Sequence, residues 1–439
     1  TGTSNYVGGV VGYNGGMISN CYNTGSVSSS NYIGGVVGYN SGTISNCYYC
    51  TDIATGVKGA INGKDTESCK GLTLDQMTGA NALDNMTFTG DDGTWVTLAN
   101  PEPDENGIFT FYCPQLSAFV SDPANPQPEE MPTITRYQLN DGTVVYNAIF
   151  ITNAEQLQAM NNNLSGVYVL ANNIDMTGFT FTPIGSNSSP FTGVFEGCGY
   201  EVQNLTISST SDYQGLFGYI GTGGKVKNVG VSGSIKGSSY VGGVAGYNDK
   251  GTISNCYNTG SVTGTSGYIG GVAGYNSGTI SNCYNTGSVT NSSTGSSTSN
   301  SVGGVVGYNY SSSGKISNCY NAGSVTRSSS SSSYIGGVVG YNYSSGTISN
   351  CYYCTDTAGK ATGAINGSNT ASCKGLTVDK MTGANALDNM AFTGDAGTWV
   401  TLANPESDEN GIFTFYCPQL SAFVSDPATP QPEEMPTIT

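Results

Sequence analysis

The sequence predicts an all-β protein built as a parallel β-helix, and three observations carry that expectation. A short repeat centred on Gly-Tyr-Asn recurs along the chain, its β-prone runs last only two to four residues, and Gly, Asn and Ser punctuate each of them. Such a coil is too short to bury its apolar side alone. Stacked coils bury it jointly, each strand pairing in parallel with its counterpart roughly 4.8 Å away.

The repeat reads Gly-Gly-Val-Val-Gly-Tyr-Asn, then Gly-Thr-Ile-Ser-Asn-Cys-Tyr-Asn-Thr-Gly-Ser-Val. Its Gly-Tyr-Asn glycines fall at Gly12 and Gly38, then at Gly246, Gly274, Gly307 and Gly340, at spacings of 26, and of 28, 33 and 33 residues. Ser-rich insertions at 291–300 and 328–333 account for the longer coils. A degenerate copy starts at Gly215-Leu216-Phe217-Gly218 and runs through Lys225–Val229. Two or three short strands are expected per coil. So much Gly leaves no 3.6-residue periodicity, which disfavours a helical repeat. A propeller blade requires roughly 40–45 residues.

A long repeat of 304 residues overlies the short one. Residues 48–135 return at 352–439, so that Cys50 matches Cys354, Trp95 matches Trp399 and Cys113 matches Cys417. Residues 1–120 are read as the C-terminal part of a preceding β-helix module with its cap, and 121–135 as a Pro-rich linker. Residues 136–424 form a complete module and 425–439 a second linker. Within that module a capping helix is expected near 153–160, with Asn153 as N-cap and Leu157 and Met160 on one face. Coils occupy 167–351, and about seven of them give a rod of roughly 35 Å. A C-terminal cap follows over 352–424, with a short helix in Leu376–Met390 and an aromatic cluster of Trp399, Phe413, Phe415, Tyr416, Leu420 and Phe423. The chain opens in mid-repeat and is read as a stretch of something longer, with further modules on either side.

Composition removes whole classes of function. Only 10% of residues are charged, against 64 Gly, 29 Tyr and 14 Phe in 439 residues. Order must therefore come from backbone hydrogen bonds and close packing, and the apolar surface sets the chain apart from disordered ones. The net charge is −17, yet between Val241 and Ser349 the one acidic residue is Asp249. With two arginines, Arg136 and Arg327, no basic stripe exists to attract nucleic acid. No apolar run approaches the ~20 residues of a membrane-spanning helix. Thirteen Cys with no His favours an oxidising, secreted setting over Cys/His zinc sites.

The repeat resembles the GLUG motif of bacterial surface proteins, carried here by Gly215–Gly218, Gly242-Gly243-Val244-Ala245-Gly246-Tyr247-Asn248 and their relatives. Tyr168–Met176, Pro183-Ile184-Gly185 and Pro190–Gly197 are similar to segments that precede such coils. With the Tyr416-Cys417-Pro418-Gln419-Leu420 ending, the likeness runs over nearly the whole chain. GLUG repeats occur in large secreted adhesins and in non-catalytic regions of immunoglobulin A metalloproteases. The resemblance implies a right-handed β-helix serving as a cell-surface spacer or binding stalk, and it brings no catalytic residues. The metalloprotease His-Glu-x-x-His cannot exist in a chain without His.

The cysteines are the first candidate site. Cys21, Cys47, Cys256, Cys283, Cys319 and Cys351 hold one position in successive repeats, where the degenerate coil has Val229. One reading is a ladder of buried thiols. The other is disulfide pairing between neighbouring coils, since the rung spacing lies within the ~4.4–6.8 Å disulfide range. Outside the ladder, Cys354 with Cys373 and Cys50 with Cys69 are candidates for local disulfides. One arrangement for the odd total links Cys113 to Cys198 of the next module and leaves Cys417 for a further copy. The competing reading buries Cys113 and Cys417 in the aromatic cap and Cys198 in an early coil. A metal ladder would need converging Cys-x-x-Cys pairs, and none is expected.

Asn255, Asn282, Asn318 and Asn350 precede the ladder cysteines, and a stack of mutually bonded amides is expected there. Tyr257, Tyr284, Tyr320 and Tyr352 follow them and are expected as an exposed column, stacked for stiffness or open to sugars and proteins. A polysaccharide lyase or hydrolase needs clustered carboxylates, which the coils lack. The candidates Asp408 and Glu409 sit near the cap, and a calcium pair at Asp91/Asp92 becomes Asp395/Ala396 in the second copy. The expectation is a non-catalytic, cofactor-free, extracellular or cell-surface stalk or fibre of head-to-tail modules. Its partners are adjacent modules, copies of itself, and host or surface glycans or proteins. A polysaccharide-binding or -degrading protein and a passive spacer of a surface enzyme are the rivals.

Overall fold

A computed structural model describes residues 6–28, 32–60, 68–88, 95–104, 108–138, 142–293, 300–328, 334–343, 345–359, 361, 363, 372–384, 386–392, 399–407 and 412–438. The chain is all-β with mainly parallel sheets, in two compact units, Thr1–Ala148 and Ile149–Thr439.

In the second unit each coil is cut into brief strands. From Val241 these are Val241–Gly242, Ala245–Asn248, Thr252–Ser254, Tyr257–Asn258 and Ser261–Gly264. Five form where two or three were expected, and an asparagine corner makes one of the breaks. Asn255 takes φ +53° between the third and fourth strands, and Asn282, Asn318 and Asn350 repeat this at +51°, +53° and +49°. Asn tolerates this left-handed region better than other non-Gly residues.

Each strand pairs in parallel with its equivalent in the next coil. Phe195, Val226, Ile253, Ile280, Ile316 and Ile348 form one unbroken file of partners. Val262, Val289 and Val325 form another. All nine are buried at 0–4% exposure, in a single apolar cluster that continues from coil to coil. The longer coils keep the register: Tyr268 pairs with Ser301 and Ile269 with Val302 across the inserted residues.

The helix Ala154–Ala159 follows the strand Ile149–Ile151, and the Asn153 side chain accepts from the Gln156 amide at 2.9 Å. Leu157 and Met160 are fully buried in the cluster that holds Ile184 and Phe191. At the other end of the stack, Cys373–Leu376 adds a rung beside Cys351–Cys354. Instead of one helix over Leu376–Met390, two single turns form, Val378–Met381 and Ala386–Asn389. Gly383, at φ +80°, interrupts them and donates its amide to the Tyr416 carbonyl.

The tail of this unit was expected at the end of the stack. It lies along the side of it. Tyr352, Tyr320, Tyr284 and Tyr257, from successive coils, meet in turn Phe392, Trp399, Gln419 and Phe423. Further back, a Cβ on Gly199 would fall 1.9 Å from the Ala422 carbonyl oxygen. Phe413, expected in this aromatic cluster, is instead 54% exposed.

The first unit holds two coils in the same register, with Tyr6–Gly8 on Tyr32–Gly34 and Met17–Ser19 on Thr43–Ser45. Its tail repeats the arrangement, with Tyr22 donating to the Pro114 carbonyl at 2.6 Å. Segment 121–135, expected as a linker, is folded into this unit. Pro128–Glu130 forms a 3-10 turn, and Glu130 accepts from the Ser121 and Gln127 amides at 2.8 and 3.1 Å. Thr133–Gln138 pairs antiparallel with Phe109–Tyr112 and Val144–Tyr146, burying Met131 and Ile134. The unit accordingly closes at Ala148, beyond the expected 135.

Candidate functional site

Stacking coils in register turns each repeated polar residue into a ladder. Asn350 donates to Asn318, Asn318 to Asn282, Asn282 to Asn255 and Asn255 to Asn228, at 2.9–3.3 Å. Asn228 ends the file on Glu196 Oε1 at 2.6 Å. Two further ladders escaped the sequence reading. Asn248, Asn276, Asn309 and Asn342 donate each to the next at 2.8 Å, and Asn258, Asn285 and Asn321 do the same. These amides are at most 1% exposed, and most also bond a following Gly carbonyl. Their signal was the Asn of every Gly-Tyr-Asn and Tyr-Asn pair.

The cysteine ladder is internal. Cys256, Cys283, Cys319 and Cys351 are fully buried, and each thiol donates to the Ser carbonyl two residues before it at 3.1–3.2 Å. Burial pushes the Cys283 and Cys351 thiols well up. In the first unit Cys47 is fully buried and Cys21 half-buried, with the same serine contact at 3.3 and 3.2 Å.

The register corrects the local pairs. Cys373 stands opposite Cys351, and Cys69 opposite Cys47, while Cys354 and Cys50 face Leu376 and Leu72. The last short strand begins, rather than ends, at its cysteine, so Cys373 and Cys69 extend the ladder by one rung. Cys354 and Cys50 instead share the apolar clusters of the tails with Cys417 and Cys113. Cys198 is half-buried at φ +53°, its amide donating to Glu196 Oε1. No disulfide is formed among the described residues.

The tyrosines change places relative to expectation. Tyr257, Tyr284, Tyr320 and Tyr352 are 0–4% exposed because the tail covers them. Tyr284 donates to Gln419 Oε1 at 2.9 Å and Tyr320 to the Pro418 carbonyl at 2.6 Å, while Tyr257 bonds Glu201.

The outward column belongs to Gly-Tyr-Asn. Tyr219, Tyr247, Tyr275, Tyr308 and Tyr341 stack at centroid distances of 4.6, 4.3, 5.2 and 4.9 Å, tilted by no more than 16°. A second column, Tyr213, Tyr240 and Tyr268, runs beside it, and Tyr334 flanks Tyr341. Tyr310 and Tyr343 add an exposed pair at 5.2 Å. Stacking covers the ring faces, so the columns present ring edges and hydroxyls. Burial and neighbouring phenols raise Tyr275 and Tyr308 and push Tyr240 up to about 12. The result is a surface of aromatic edges and hydrogen-bonding groups, with the Asp249 carboxylate accepting from Tyr219 at 3.3 Å.

Among the described residues, no three Cys, Asp or Glu gather to hold a metal ion, and no helix is long and apolar enough to cross a membrane. The carboxylates Asp91, Asp92, Asp408 and Glu409 lie outside the described residues.

These features define an all-β repeat protein whose parallel coils share one register. Five stretches, 3–28, 237–263, 265–290, 298–326 and 331–352, match the family described as the GLUG motif, so the chain carries five GLUG repeats. It is 39% identical over 94 residues to halomucin of Haloquadratum walsbyi, covering 20% of this chain and 1% of that protein. It is 32% identical over 121 residues to a protein of Evansella cellulosilytica described as a Gly-rich membrane protein, covering 25% of this chain and 14% of the relative. The chain thus matches only a small part of either relative. A solved Bacteroides ovatus protein described as an immunoglobulin A1 protease aligns with a TM-score of 0.46 at 24% identity, over 63% of this chain and 92% of that one. No activity is transferred at that level of likeness.

Proposed function

We propose that this chain is a non-catalytic segment of a large extracellular or cell-surface protein, in which β-helix modules joined head to tail form a stiff adhesive stalk. The observation that carries the reading is the unbroken register of the stack. The same backbone partners, asparagine amides and tyrosine rings recur from coil to coil, so each coil pulled away must break a full set of them. The halomucin and Gly-rich membrane protein among its relatives support a surface location. The tyrosine columns suit hydroxyl-rich partners, host or surface glycans above all, met through hydroxyl edges rather than ring faces. Adjacent modules, or further copies of the chain, continue the stalk.

Single-molecule stretching of copies of the chain linked in tandem tests the mechanical role. High-force, module-by-module rupture is expected, and yielding at the force of an unstructured polymer would refute it. A glycan array tests the adhesive role, with loss of binding in Tyr310→Ala/Tyr343→Ala expected. Release of reducing sugar from a bound polysaccharide would replace the stalk with the enzyme reading.

A further inference from the structure

Eight of the thirteen cysteines occupy ladder positions: Cys21, Cys47, Cys69, Cys256, Cys283, Cys319, Cys351 and Cys373. Four of the remaining five pair off identically in the two units. Cys354 ends the strand Cys351–Cys354, and Cys417 follows Phe415–Tyr416 in the tail. Both are 0% exposed and share a sealed cluster with Met381, Met390 and Trp399, within electrostatic reach of each other. Cys50 and Cys113, at 0 and 1% exposure, share the equivalent cluster with Leu74, Met77 and Met86. The thirteenth, Cys198, is half-buried beside Glu196, which accepts from its amide.

We propose that Cys354–Cys417 and Cys50–Cys113 are disulfide sites, each locking a tail onto the flank of its own stack. The position explains the value of a lock. Cys417 directly precedes Pro418 and Gln419, whose carbonyl and side chain hold Tyr320 and Tyr284. A covalent bond there fixes the root of the cover over the inner tyrosine column. Six of the ladder thiols, by contrast, donate to a backbone carbonyl, and the ladder stays reduced.

The chemistry is thiol–disulfide exchange. One thiolate attacks a sulfur of a small-molecule or protein disulfide and releases half of it, and the second thiolate then attacks the protein sulfur of the resulting mixed disulfide and releases the other half. The oxidant takes up two electrons and leaves as two thiols, which carry the two protons. Burial pushes the docked Cys113 thiol up to about 12 and raises Cys417 as well. Thiolate is therefore scarce once the tail is seated, and oxidation precedes docking.

The protein is refolded in a glutathione redox buffer, alkylated in denaturant without reductant, and mapped by mass spectrometry. A defined buffer makes the result independent of where the protein resides. Nine alkylated cysteines are expected, with peptides linking Cys354 to Cys417 and Cys50 to Cys113. The midpoint of thermal unfolding should fall on reduction, and Cys417→Ala should abolish its own link and leave the other. Thirteen alkylated cysteines, a Cys113–Cys198 peptide or ladder disulfides would overturn the assignment.

Discussion

The Asn228 side chain donates to Glu196 Oε1 at 2.6 Å, and that bond terminates a file of five asparagine amides pointing the same way. A directional ladder leaves an unmet donor at one end, and a buried unmet donor is costly. Glu196, only 2% exposed and in the coil before the degenerate one, supplies the acceptor where the file has no further asparagine.

Replacing that acceptor should therefore cost more than its surroundings suggest. Glu196→Ala is expected to destabilise the protein by about 2–3 kcal/mol, since the Asn228 side chain and the Cys198 amide both lose their acceptor. Glu196→Gln keeps an oxygen at the site and should lose less than half of that. Urea unfolding of the two variants decides it, and equal losses would show that the carboxylate holds something other than the ladder.

Close approach of neighbouring coils sets a second prediction. A Cβ on Gly271 would stand 2.3 Å from Asn285 Cγ and 2.3 Å from the Gly304 carbonyl oxygen, whereas one on Gly16 meets nothing within 4 Å. Gly271→Ala should cost at least the ~1–3 kcal/mol of an overpacked core, and Gly16→Ala should be close to neutral. Thermal melts of both report the contrast. An unaffected Gly271→Ala would mean that the coils stand further apart than these distances.

The coils themselves were legible because insertion, punctuation and apolar spacing act locally. Gly12, Gly38 and their equivalents mark the repeat whatever the rest of the chain does. The cysteine position was legible too, since Val229 in the degenerate coil identifies an apolar interior. What the sequence could not show depends on contacts distant along the chain. Tyr284 looks outward by every local rule until Gln419, 135 residues later, covers it. Cys373 looks like the partner of Cys354 by spacing, until the register of Cys373–Leu376 places it opposite Cys351. The exposed face therefore fell to the wrong tyrosine of each repeat.

The two tyrosine sets should respond differently to loss of the hydroxyl. Tyr320→Phe removes the bond to the Pro418 carbonyl at a fully buried site and strands that oxygen. A loss of about 1–2 kcal/mol is expected. Tyr308, half-buried in the outward column, keeps its stacking as Phe, and Tyr308→Phe should fall within about 0.5 kcal/mol of the parent. Matched chemical denaturation curves check this, and equal effects would mean that the tail does not seal the inner column.

Alkaline pH offers a last test, with a sign fixed by the tyrosines. Burial, followed by neighbouring phenols, raises Tyr240 from 10.0 to about 12 and also lifts Tyr247, Tyr268, Tyr275 and Tyr308. Below the unfolded value near 10 both states hold the phenolic proton, and these groups make stability independent of pH. Above it the unfolded chain gives up protons that the folded columns retain, so the unfolded state binds fewer protons and stability falls as pH rises. The decline should begin near pH 10 and continue through about pH 12, where Tyr240 itself ionises. Phenolate absorbance followed beside circular dichroism should show the column tyrosines ionising late and together with unfolding. Early titration, with the fold intact at about pH 10, would show that water reaches the columns and that their stacking does not shield the hydroxyls.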